Sequence, residues 1–160
     1  MNLDVVESQI RGLRRAADDL DAEFDRLIQP GTKLPSTPDD KDRFTASVLV
    51  MPILRALAAE LALKAISFKR SGSFERWHDL RDLYDDLDND TRNLIEQKAI
   101  GYQKTKAHRV DPVPVTLTSH RTDFVNWRYA GENKPLNANP NDLDDAVEIL
   151  MAVYGDIKRK

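Results

Sequence analysis

The sequence predicts an all-α fold: a helical bundle of about five or six helices, opened by a long N-terminal helix. Three observations predict it. Apolar residues recur at gaps of three and four along most of the chain, which is the spacing of one helix face. Proline, glycine and asparagine clusters fall between these runs and separate them. A length of 160 residues, 41% of them hydrophobic and 32% charged, suits one globular domain spanning 1–160, with no internal repeat or low-complexity tract.

Leu3, Val6, Ile10, Leu13, Ala17, Leu20, Phe24 and Leu27 alternate gaps of three and four. That period of about 3.5 residues is the seam of a helix packed lengthwise on another. Gln29-Pro30-Gly31 stops this helix, and Pro30, Pro35 and Pro38 mark a loop to residue 40. A second helix runs from about Asp42 to Arg70, with Pro52 expected to kink it or mark its true start. Ser71-Gly72-Ser73 ends it. Leu80, Leu83, Tyr84 and Leu87 mark a short third helix, and Asn89 or Asp90 caps a fourth over about 91–106. Pro112 and Pro114 among valines make 107–118 an extended connection. Thr118 or Ser119 caps a fifth helix. After a loop at 133–140, Asn139 and Pro140 open a final helix carrying Leu143, Val147, Leu150, Tyr154 and Ile157.

A net charge of −3 argues against a basic coat for non-specific nucleic-acid binding, though not against a local patch. The chain has no cysteine, so it does not ask for an oxidising compartment. Asp4, Glu7, Asp18 and Asp19 in the first twenty residues leave no apolar core for a signal peptide, and a cytoplasmic location is the expectation. Ala46 to Phe68 has the length of a membrane span. Arg55, Glu60 and Lys64 interrupt it, each costing ~2.5–3.5 kcal/mol at a bilayer centre. A helix buried inside a bundle explains the pattern better, so no membrane partner is expected.

No Gly-rich phosphate loop, cysteine zinc site or nucleophile elbow is present, and no cofactor or metal is expected. His78, His108 and His120 are not spaced as a two-histidine metal helix. Glu60 and Lys64 form an i, i+4 pair in a very apolar helix. Charges there are partly buried and must find partners, such as Arg121, Arg128 or Glu132. On a helix at about 100° per residue, 119–132 has two faces. His120, Phe124 and Trp127 share one. Arg121, Val125, Arg128, Tyr129 and Glu132 share the other. The expected polar network is therefore Glu60, Lys64, Arg128, Tyr129 and Glu132. Phe74, Trp77, Phe124 and Trp127 are expected in the core. His78 opens the third helix, either as a residue covering a helix end or as an acid/base.

Glu60-Leu-Ala-Leu-Lys64, His78-Asp-Leu-Arg-Asp-Leu83, Phe124-Val-Asn-Trp-Arg-Tyr129 and Glu132, in that order, resemble the HEPN superfamily across roughly residues 42–132. The resemblance implies a small all-helical bundle of the kind found in prokaryotic toxin–antitoxin, phage-defence and CRISPR systems. It implies a homodimer, and as partners an antitoxin or nucleotidyltransferase, or RNA. Many members are metal-independent endoribonucleases that carry Arg, four to six residues, then His. Here Arg70 precedes His78 with seven residues between, Arg76 with one, and Arg109 precedes His120 with ten. Gly131 stands where an aromatic residue usually precedes the glutamate. The ribonuclease activity is therefore not carried over. The expected function is that of a non-catalytic HEPN-like protein acting through a partner. Two alternatives stay open. One is a divergent ribonuclease with His78 or His120 as acid/base and Arg121 or Arg128 stabilising the transition state. The other is a purely structural bundle.

Overall fold

A computed structural model describes residues 1–28, 37–121 and 141–157. They form six helices: α1 (Leu3–Leu27), α2 (Pro38–Ser71), α3 (Leu80–Asp85), α4 (Asn89–Gln103), α5 (Val113–Ser119) and α6 (Asn141–Asp156). The long N-terminal helix and the all-helical bundle are as the apolar spacing predicts. α1 lies antiparallel along α2, so that Phe24 stacks on Phe44 at 5.6 Å at one end. α6 runs with α2. Arg55 meets Asn141 at its start, and Lys69 donates to the Tyr154 carbonyl at its end. One apolar core draws on all six helices, with Ile10, Leu63, Ile66, Ile95, Leu117, Leu143 and Leu150 at its centre.

Each helix end has a local cause. Asn2 caps α1 by accepting from the Val5 amide at 3.3 Å. α2 starts earlier than expected because Thr37 caps it and Pro38 sits in the first turn, where a missing N–H costs nothing. The helix continues through Pro52 and closes at Gly72, whose φ of 78° needs a residue without a Cβ. α4 begins one residue ahead of expectation, because the Asp88 carboxylate accepts from the Thr91 amide at 2.7 Å.

Two expectations fail locally. Residues 113–119 are helical, not extended, since Pro114 lies in a first turn, where its fixed φ favours helix. Thr118 and Ser119 therefore end α5 instead of capping a helix. The expected helix over 119–132 lies almost wholly outside the described residues. α2 is also not buried all round. Val50, Leu54, Leu57 and Leu61, at gaps of four, three and four, fall on the side opposite its buried face and stay partly exposed.

Asp88 also pairs with Arg70 at 3.2 Å. The Arg70 hydrogen bond leads in holding the carboxyl down, from its ordinary 3.8 to about 2, with the Thr91 amide helping. A carboxyl depressed on folding stabilises above its ordinary pKa, and that stability fades as pH falls towards about 2. The pair is half-exposed, so most of the effect is the cap. Asp88→Ala should cost ~1 kcal/mol at neutral pH in urea unfolding. The gap between the two proteins should shrink in acid.

Candidate functional site

The site begins at Glu60, in the middle of α2. Its side chain is 8% exposed, and that of Lys64, one turn on, is 9% exposed. Burial this deep forces partners on both charges. Lys64 Nζ donates to Glu60 Oε1 at 2.7 Å, the salt bridge that the i, i+4 spacing anticipates. His78 Nδ1 meets the same oxygen at 3.0 Å. Glu60 Oε2 has no hydrogen-bond partner among the described residues. Lys64 also lies 6.0 Å from the Phe74 ring, which is edge-on to Phe68.

The connection between α2 and α3 brings His78 there. Asp79 caps α3 by accepting from the Arg81 and Asp82 amides, which fixes the backbone just after His78. The end of α5 packs alongside, with the Leu80 amide donating to the Arg121 carbonyl at 3.2 Å. The Arg121 guanidinium then donates to Asp79 at 2.8 Å and to Asp82 at 3.4 Å. The Asp79 hydrogen bond leads in raising its pKa, so the group stays cationic.

Three expectations are corrected by this geometry. Trp77 is 58% exposed and anchors no core. The connection turns it outward because Phe74 and His78 face α2. His120 is buried, at 2% exposure, and so stands in no solvent-open cleft. Arg121 meets Asp79 and Asp82, not Glu60 or Lys64. Of the predicted network, Glu60 and Lys64 come together, and His78 joins them although sequence spacing placed it apart. Arg128, Tyr129 and Glu132 lie outside the described residues, as do Phe124, Val125 and Trp127.

A second polar cluster was not anticipated. Arg14 of α1 is bidentate to Asp144 at 2.9 and 3.1 Å and reaches Glu148 at 2.9 Å. The Tyr102 hydroxyl donates to Asp145 at 2.9 Å and also contacts Glu148. His108 Nε2 meets the buried Asp145 at 2.7 Å. Lys106 stands 3.5 Å from Glu148. Burial first, then the neighbouring carboxylates, pushes the Tyr102 hydroxyl well above its ordinary pKa. Burial pushes the Glu148 carboxyl up, but Tyr102 and Arg14 outweigh it and hold it down. These groups clamp α1, α4 and the 104–112 connection to α6. Their one sequence signal was Asp145 and Glu148 at i, i+3; nothing local pointed to Arg14 or His108. Buried Arg55 similarly ties α2 to Asp21 of α1 and Asn141 of α6. Among the described residues, no three His, Asp or Glu side chains gather as metal ligands.

Compared with known proteins, the chain matches no family model, no curated protein and no solved structure. The fold and the site define a class only: an all-helical bundle with a buried ion pair on its central helix and an exposed aromatic–histidine edge beside it.

Proposed function

We propose that this chain is a non-catalytic, HEPN-like helical module of a prokaryotic defence or toxin–antitoxin system. It works in the cytoplasm by binding a partner, a protein or an RNA. The observation that carries the proposal is the contrast across the site. The ionic groups are engaged with one another: Lys64 with Glu60, Arg121 with Asp79 and Asp82. Among the described residues, the largest exposed apolar side chain is Trp77, next to His78 in the chain. Buried tied charges set the shape of the connection, and an outward tryptophan supplies contact area or a stacking surface. The order of the Glu60–Lys64, His78–Leu83 and Phe124–Tyr129 segments supports the HEPN kinship.

A specific feature favours the ribonuclease alternative as second reading. The His78 ring is 61% exposed while the carboxylate that orients it is 8% exposed. A buried carboxylate holding an accessible imidazole is an arrangement suited to proton transfer.

One experiment separates the two. Purified protein is incubated with structured RNA without added metal, alongside Trp77→Ala, His78→Ala and Arg128→Ala. The expected result is intact RNA in every sample. Binding of the RNA or of a co-purifying protein should weaken with Trp77→Ala, while the urea midpoint of that variant stays near wild type. Cleavage abolished by His78→Ala or Arg128→Ala would replace this proposal with the enzyme.

A further inference from the structure

We propose that a second binding site, apart from the Trp77–His78 edge, takes a free, extended apolar peptide of three or four residues. The site is a cleft of about 470 Å³ between the second half of α4 and the connection that enters α5. That volume suits a small ligand. Ala99 and Val113 pack on the core and form its floor. Ile100, Val110, Pro112 and Pro114 line the rest, and Ile100 is 62% exposed. The apolar surface there is wet, and an occupant removes it from water. The cleft is also preformed. Gln103 ties the connection to α4: its Nε2 donates to the His108 carbonyl at 3.0 Å, and its Oε1 accepts from the Val110 amide at 2.6 Å. Pro112 and Pro114 restrict the backbone further. Little order remains to be imposed when a ligand enters.

The charges on the rim choose the occupant. Glu96 and Lys104 both border the cleft, and neither makes an ion pair among the described residues. Their neighbours are engaged: Lys98 with Asp156 at 2.6 Å, and Lys106 with Glu148 at 3.5 Å. Asp111, the other acid on the rim, stands 3.7 Å from Arg109. A helical rise of about 1.5 Å per residue sets Glu96 and Lys104 roughly 12 Å apart along α4. An extended peptide covers that span in three or four residues, at about 3.3–3.6 Å each. Its terminal amine then meets Glu96 and its carboxylate meets Lys104, with apolar side chains on the floor between them. An internal stretch of a longer chain lacks the two end charges. A fatty acid leaves Glu96 against hydrocarbon, and a nucleic acid brings phosphates towards Glu96 and Asp111. A free peptide matches both ends.

Titration of the isotope-labelled full chain with the tetrapeptide leucyl-valyl-alanyl-leucine, followed by amide NMR, tests the site. The amides of Ala99, Ile100, Val110 and Val113 should shift and saturate. Ile100→Asp places a charge in the cleft at an exposed position and should raise the peptide Kd about tenfold or more. Acetylating the peptide amine, or amidating its carboxylate, should each raise the Kd about two- to fivefold on the wild type. Glu96→Gln should bind the free and the acetylated peptide equally, and Lys104→Gln the free and the amidated one, since each change removes the same contact. These peptide arms need no variant of the core, so a loss of folding does not blur them. Absence of shifts at these amides up to about 1 mM peptide, a range that still detects weak binding, overturns the proposal. So does unchanged affinity in Ile100→Asp. A doubly capped peptide that binds as tightly as the free one also overturns it, and makes an internal chain segment the occupant. Trp77→Ala should leave the titration unchanged, so this site and the Trp77–His78 edge fail separately.

Discussion

Lys64→Met should destabilise the protein by ~3–5 kcal/mol, the largest loss expected from any single charge removed here. Both members of the pair are more than nine-tenths buried, and the lysine supplies the 2.7 Å contact to Glu60 Oε1. Methionine fills nearly the same volume, so packing changes little. What remains is a carboxylate in a low-dielectric site, with His78 on one oxygen and no described partner on the other. Desolvation of that charge then goes uncompensated. The double replacement Glu60→Leu with Lys64→Met should recover most of the loss, because removing both charges leaves nothing to desolvate. Urea unfolding of the two single and one double variant closes a cycle that isolates the pair. A loss below ~1 kcal/mol for Lys64→Met would mean that the pair behaves as a surface contact and that water reaches it.

Leu150→Ala should cost ~3–5 kcal/mol for a different reason. Leu150 is 0% exposed at the middle of α6, among Leu63, Ile66 and Val147 in the shared core. Truncation removes the transfer energy of three carbons and leaves a cavity that rigid neighbouring helices fill only in part. At this chain length that corresponds to a fall in Tm of roughly 6–20 °C. A smaller loss with an unaltered helical spectrum would show that α6 shifts to close the gap, and that it is held mainly by Arg14, Arg55 and Lys69.

The legible part of the fold is the part set by local periodicity. Leu3 to Leu27 repeat at three and four, and α1 spans those residues. The runs around Leu80 and Leu143 likewise mark α3 and α6. Proline was harder to read. Pro52 sits inside a continuous helix, and Pro114 begins one. Pro52 is kept where neighbouring packing offsets the lost hydrogen bond, which no local rule reports, whereas Pro114 falls in a first turn, where its N–H is not needed. At the site, the Glu60–Lys64 bridge was legible because its spacing makes it within one helix. His78 is eighteen residues from Glu60, and only the turn between α2 and α3 delivers it there.

The order of residues alone settles that the chain is helical, where most helices lie, and that α2 must carry paired charges in an apolar setting. Those properties follow from interactions within a few residues, which spacing encodes directly. Folding in three dimensions settles which charges meet: Arg14 with Asp144, His108 with Asp145, Arg121 with Asp79. It also leaves Trp77 exposed. Such contacts join segments from distant parts of the chain, and their partners depend on how whole helices pack, which is not written in any single stretch.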